Sequence, residues 1–387
     1  MRYRDSIFGS LLKPISRRGF AGIVAAHNGD AYDKTFGSWD HLVTLVYGQL
    51  AAVDSLRGLE AGWNANAHHH YHLGSGPIAR STVADANHRR PPAVFADTFA
   101  MLSGQASRQL RREGAAMLRL IDATPIPLPK LCEWARWNGR THGLKMHVTF
   151  DPQAGCPRRV AITPSTVNDV EVGREWPIEA GATYVYDKAY CDYGWWGRIH
   201  EAGAVFITRP KRNARYDIVS RRPVAKRHGD GFQILADANV RLATQGKSKL
   251  GCPVRRVTFM RDDGSVMEVI TNDRKRTAVE IAALYKARWE IELLFRWIKQ
   301  HLKLARFLGR SENAIRLQLL AAMIAYLLLR IAAKTSRSNL SPLRFVELAG
   351  QCLFIRKPLA LLDKPPEVNP SRSKSKYHQG QLELTYA

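Results

Sequence analysis

Tyr285, Arg288, Glu292 and Lys299 are four polar side chains of three chemistries, spaced at three, four and seven residues. At about 100° per residue on a helix they fall within roughly 60° of one another and line one narrow stripe. A carboxylate is thereby held among an aromatic hydroxyl and two cations. Taken alone, the stripe also reads as a solvated face whose Arg288/Glu292 pair at i,i+4 contributes only about a few tenths of a kcal/mol. Two more acids shift that reading. Asp122 ends the short apolar run from Met117, and Asp187 follows the run Thr183 to Tyr186. Carboxylates at strand ends point out of a sheet edge into a cleft, a common place for hard metal ions. Any one such Asp also serves to cap a turn; two of them together with Glu292 fit that role less well.

The stripe needs a helix, and its start is legible. Thr277 with Glu280 three residues on makes a capping box, and the apolar rhythm begins at Ile281. Ala283, Leu284, Ala287, Ile291, Leu294 and Ile298 fall opposite the stripe, which predicts one helix buried along that edge. The aspartates need strands. From about Met117 to Asn213 the texture is β, with runs at Met117 to Ile121, Lys145 to Phe150, Val160 to Ile162 and Thr183 to Tyr186. A helix-like stretch from Trp195 to Ala202 follows, then a strand from Val205 to Thr208.

Tyr216 to Thr271 reads as a further β-rich unit dense in Arg and Lys. Val254 to Met260 and Val266 to Ile270 flank an Arg-Asp-Asp-Gly turn at Arg261 to Gly264, a hairpin signature. Its place between the second aspartate and the helix of Glu292 marks it as an insertion into a core α/β domain. Beyond that helix, Leu317 to Ala333 and Pro342 to Phe354 supply packing helices, and the Pro-, Ser- and Lys-rich tail from about Pro358 is expected to be mobile.

The first part of the chain, to about Arg112, reads as helices broken by polar turns. An apolar run from Leu42 to Val53 leads to a turn at Asp54 and Ser55, a loop spans Gly74 to Pro77, and Ser81 or Thr82 is an N-cap. The helix that follows carries Asn87, His88, Arg89 and Arg90, compatible with a small helical DNA-binding unit. His68, His69, His70 and His72 lack spaced partner ligands, so a polar loop touching phosphates is expected in place of a metal site.

Length and charge bound the whole. A chain of 387 residues with 45% hydrophobic content can build two or three cores. Lys plus Arg number 58 against 34 acids, and a net charge of +24 favours a polyanionic partner, above all nucleic acid. Five scattered cysteines with no C-x-x-C spacing suggest neither a zinc ribbon nor a disulfide framework and fit a reducing compartment. The longest apolar run, Leu319 to Leu329, has 11 residues, too short to cross a bilayer, and the N-terminus has no secretory apolar region.

Tyr285-x-x-Arg288-x-x-x-Glu292 followed by Lys299 resembles the Y-R-E-K signature of the DDE transposases of the bacterial insertion sequence 4 family. The other pieces occur in order: Asp122 in Leu-Ile-Asp-Ala-Thr and Asp187 in Tyr-Asp-Lys-Ala-Tyr. The stretch Phe206-Ile-Thr-Arg209-Pro-Lys211-Arg-Asn213 is similar to the family's strand after the second Asp, and the likeness reaches Ser55-Leu56-Arg57 and Arg80-Ser81-Thr82. Ala189 stands where a glycine is frequent. The intervals agree with the likeness: 65 positions separate Asp122 from Asp187 and 105 separate Asp187 from Glu292, room enough for the β-rich insert.

The resemblance implies an α/β fold with an RNase H-like catalytic core, 113–310, interrupted by the insertion at about 214–275. A helical DNA-binding region at 1–112, C-terminal helices at 311–357 and a basic tail at 358–387 complete the expectation. Asp122, Asp187 and Glu292 would be the catalytic acids and ligands of two Mg²⁺ ions, with Mn²⁺ as a substitute. Tyr285, Arg288, Lys299, Arg209 and Lys211 would contact DNA. Trp289 is a candidate for stacking on an extruded base, or else a core tryptophan. The expected partners are double-stranded DNA, as terminal inverted repeats and target, and a second copy of the chain, since two ends must be joined. The expected place is the cytoplasm, at the nucleoid. Cut-and-paste transposition is the leading reading; a catalytically silent DNA-binding repressor and a two-metal nuclease are the alternatives.

Overall fold

A computed structural model describes residues 5–31, 33–110, 116–129, 132, 134–135, 143–224, 228–229, 232–243, 252–301 and 307–364. Seven helices come first: α1 (Ile7–Leu12), α2 (Arg17–Ala26), α3 (Ser38–Leu50), α4 (Leu56–Asn64), α5 (His70–Leu73), α6 (Arg80–Arg89) and α7 (Pro92–Leu110). Serines start several of them, the hydroxyls of Ser6, Ser16 and Ser55 each accepting an amide three residues on.

A mixed α/β region follows. Its elements in order are β1 (Leu118–Pro127), β2 (Gly143–Asp151), β3 (Cys156–Pro164), α8 (Asp169–Glu175), β4 (Thr183–Tyr186), α9 (Tyr193–Glu201) and β5 (Val205–Thr208). Next come β6 (Arg215–Arg221), β7 (His228–Gly229), β8 (Phe232–Ala243), β9 (Val254–Arg261) and β10 (Val266–Thr271). The chain closes with α10 (Ala278–Lys286), α11 (Trp289–His301), α12 (Glu312–Thr335) and α13 (Pro342–Gln351).

All ten strands form one sheet in the order β3-β2-β1-β4-β5-β10-β9-β8-β6, with β7 beside β8. The pairs β1/β4 and β4/β5 are parallel and the others antiparallel. Period-2 alternation gives the sheet two apolar faces. Leu120, Val185 and Ile207 join Ile281, Ile291, Ile298 and α12 in one core. Ile121, Tyr186 and Phe206 join Trp195 and Trp196 of α9 in the other.

The expected strands at Thr183–Tyr186 and Val205–Thr208 and the hairpin around Gly264 are present as read. Gly264 takes a left-handed φ of 77°, which explains glycine at that turn. Other expectations need correction. The β-rich segment joins the core sheet, because β10 pairs with β5. Residues 81 and 82 lie inside α6, which begins at Arg80 after Ala79. Asn87 and Arg90 are buried: Asn87 bonds His41 at 2.8 Å and Arg90 pairs with Asp33 at 2.9 Å, so these two serve the fold. The His cluster is not a polar loop either. His70 is buried and stacks on Trp63 at 4.3 Å, and His69 stacks on Phe354 at 5.3 Å.

The apolar run at 319–329 lies within α12, whose 24 residues are long and apolar enough to cross a membrane. Here it is the buried axis of the helical layer, packed on α3, α6, α7 and β3. The tail from 365 onward lies outside the described residues, as does much of the boundary near Arg112.

Candidate active site

Three elements far apart in sequence meet at one point. β1 and β4 run parallel with Ile121 beside Tyr186, so the next residues, Asp122 and Asp187, come side by side. The expectation that Asp122 ends a strand is corrected: β1 continues to Pro127, because β2 still pairs with it, while β4 stops at Tyr186. Alternation aims the two acids, two residues after Leu120 and Val185, toward the face covered by α10 to α12. The same rule places Arg209, two residues after Ile207, on that face. α11 packs on β1 and presents Glu292 from its first turn, where a helix N-terminus favours a carboxylate.

The single helix expected from Thr277 to Lys299 is two. The capping box of Thr277 and Glu280 starts α10 as read, but the chain tightens at Ala287 and Arg288 before α11. There the Arg288 amide donates to Tyr285 O at 3.1 Å and the Glu290 amide to Ala287 O at 2.9 Å, three residues back in each case. The break changes which side chains are covered. α10 packs on β4, β5, β8 and β9 through Ile281, Ala282 and Tyr285, so Tyr285 is buried and Ala283 exposed, opposite to the expected stripe.

The charges converge on Arg288, whose guanidinium reaches Asp122 Oδ2 at 3.3 Å and Glu292 Oε1 at 2.6 Å. Asp122 also accepts the Ala123 amide at 2.9 Å. Burial pushes the Asp122 carboxyl up to about 6; the negative charges of Glu292 and Asp187 act in the same direction, against the Ala123 amide and Arg288. Burial also pushes the Tyr285 phenol up to about 12, with Arg288, Asp187 and Arg209 in electrostatic reach. Its ring lies 5.9 Å from the Arg288 guanidinium. Asp187 Oδ1, the Tyr285 hydroxyl and Arg288 Nε are buried with no hydrogen-bond partner among the described residues.

Lys299, Trp289 and Lys211 are exposed. Trp289 is 51% exposed, which rules out the core role, and the Arg296 guanidinium lies 5.7 Å over its ring. Arg296 was not anticipated; its seven-residue spacing from Trp289, two helical turns, was the available signal. The bond from Arg288 to Asp122, across 166 positions, has no local signal at all.

Among the described residues no three His, Cys, Asp or Glu side chains are gathered as a metal cluster, and the Arg288 guanidinium contacts two of the three acids. The donor set still fits a hard divalent cation: three carboxylates, one with an orphaned buried oxygen, offer oxygen ligands only.

Comparison with known proteins identifies relatives of the chain. Residues 113–328 match the transposase DDE domain family, and residues 3–75 match a domain of unknown function, DUF4372. A putative transposase, y4zB, of Sinorhizobium fredii is 57% identical over 304 residues, covering 79% of this chain and 85% of that one. A probable transposase for insertion sequence element IS5377 of Geobacillus stearothermophilus is 29% identical, covering 72% of this chain and 74% of that one. A cryo-EM structure of the piggyBac transposase synaptic complex with hairpin DNA shares the fold at a TM-score of 0.50 and 8% identity, over 96% of this chain and 84% of that one.

Proposed function

The chain belongs to the transposase DDE domain family and is a DNA transposase, and from that premise we propose that Asp122, Asp187 and Glu292 are its catalytic acids and hold its divalent cations. The family depends on divalent metal; here the ions are two Mg²⁺, with Mn²⁺ as a substitute. Bound there, they supply Lewis-acid charge on the scissile phosphate and activate water or a DNA 3′-hydroxyl for in-line displacement.

The protein's own side chains do the rest. Arg288 and Lys299 neutralise phosphates beside the scissile bond, and the buried Tyr285 hydroxyl, with no hydrogen-bond partner among the described residues, donates to one of them. Arg209 and Lys211, at the end of β5, extend the cationic rim along the same sheet edge. Exposed Trp289 offers its ring to an unstacked base. No protein nucleophile is required.

One observation carries the reading: Glu292, from a helix, and Asp187, just past the end of β4, both come within electrostatic reach of Asp122 on β1. The strand order β3-β2-β1-β4-β5, antiparallel then parallel, supports an RNase H-like core across 113–310, with β6 to β10 as the insertion. Residues 1–112 form the helical DNA-binding region, and the active species at two DNA ends is a homodimer acting on chromosomal DNA.

The test incubates purified protein, Mg²⁺ and a labelled end of its own element. Cleavage at the end followed by joining to target is expected. Cleavage without joining would favour a nuclease, and binding without cleavage would overturn the enzymatic site.

A further inference from the structure

Arg288 occupies ground that the acids need for another purpose. Its two terminal nitrogens reach Asp122 and Glu292, while its Nε has no hydrogen-bond partner among the described residues and its side chain keeps 20% exposure. Two carboxylates held this close repel unless positive charge lies between them, and that charge can come from a guanidinium or from a metal ion. Both cannot occupy the same gap. The residue also sits in the tightened turn between α10 and α11, outside either regular helix.

We propose that Arg288 is a displaceable counter-ion: in the metal-free protein it bridges Asp122 and Glu292, and cation binding by those carboxylates releases it toward DNA phosphate. The proposal rests on the reading of the three acids as metal ligands. Metal binding and DNA binding then assist each other, and by linkage the assistance runs equally in both directions. Premature loading without DNA is disfavoured, because the ion must first break two charge-assisted contacts.

Mn²⁺ binding to the DNA-free full chain, followed by electron paramagnetic resonance, tests this on wild type, Arg288→Met, Arg288→Lys, Arg209→Met and Glu292→Gln. Arg288→Met should bind Mn²⁺ about tenfold more tightly than wild type, roughly the worth of one charge-assisted pair. Arg209→Met removes a neighbouring charge that bridges neither acid, and should shift affinity by less than about threefold. Arg288→Lys keeps the charge but cannot fork, and should fall between wild type and Arg288→Met, which guards against a misfolded methionine variant.

A second readout is the salt dependence of DNA-end binding. In wild type the slope should steepen by about one unit in Ca²⁺ relative to EDTA, as one more phosphate contact forms, and in Arg288→Met it should not change. Equal Mn²⁺ shifts for Arg288→Met and Arg209→Met, or an unchanged wild-type slope, would overturn the counter-ion role while leaving the metal site intact. Unaltered Mn²⁺ affinity in Glu292→Gln would instead remove the metal-ligand reading, and the counter-ion role with it.

Discussion

Arg119 stands three residues before Asp122 on β1, and Arg288 faces Asp122 from the turn before α11; each arginine holds two acids. Around Arg119 every bond is closed. Its Nε and Nη2 donate to Glu179 at 3.1 and 2.7 Å, and its Nη1 donates to Asp151 at 3.0 Å and Leu118 O at 3.1 Å. Asp151 in turn accepts the amides of Gln153 and Ala154. Arg255 in the insert is closed in the same way, forked onto Asp237 at 2.8 and 2.6 Å and donating to the carbonyls of Asp273 and Arg276. Around Arg288 three polar atoms are left over, and Asp122 keeps 21% exposure where Asp151 keeps 1%. A network that closes all its bonds holds strands together; one that leaves them open is poised for ligands.

Removing each arginine separates the two cases most sharply. Arg119→Met strands a buried Asp151 and should lower unfolding free energy by about 3–5 kcal/mol in urea titrations. Arg288→Met, among partly exposed partners, should cost no more than about 1 kcal/mol. Equal losses would erase the distinction.

Next in size is the pH response of Asp122. Its folded carboxyl is raised from 3.8 to about 6, so the folded state holds its proton more tightly than the unfolded chain does. That contribution to stability is full below about pH 4 and is lost as pH rises through about 6. Metal-free Asp122→Asn should therefore match wild type at pH 4 and exceed it by up to about 2 kcal/mol at pH 7. Parallel pH–stability curves for the two proteins would contradict the strained carboxylate.

The smallest effect lies at the rim. Lys299→Ala should leave stability nearly unchanged and reduce the salt slope of DNA-end binding by about one unit.

The contrast between the two arginines also marks what the sequence reveals. Local rules carry far: Thr277 and Glu280 announce their helix, Gly264 its turn, and the runs before Asp187 and Arg209 their strands. The three acids are legible because each stands beside a readable element. Tertiary choices are not. Nothing in Lys-Ala-Arg-Trp-Glu, which lacks Gly and Pro, signals the break before α11. β1 outlasts Asp122 only because β2 pairs with it, and Asn87 and Arg90 are buried by partners remote in sequence. Of the four residues Asn87 to Arg90, Asn87 and Arg90 are buried while His88 and Arg89 stay exposed, a distinction that hydrophobic periodicity does not record when polar groups bond one another.

Single-turnover cleavage of a labelled transposon end by Asp122→Asn, Asp187→Asn and Glu292→Gln, alone and in pairs, tests the unity of the acidic site most directly. Each single variant should keep DNA binding and lose cleavage by about a thousandfold or more, the worth of several kcal/mol of transition-state stabilisation, and pairs should be no worse than singles. A single variant that cleaves near the wild-type rate, or losses that multiply from singles to pairs, would contradict one shared site.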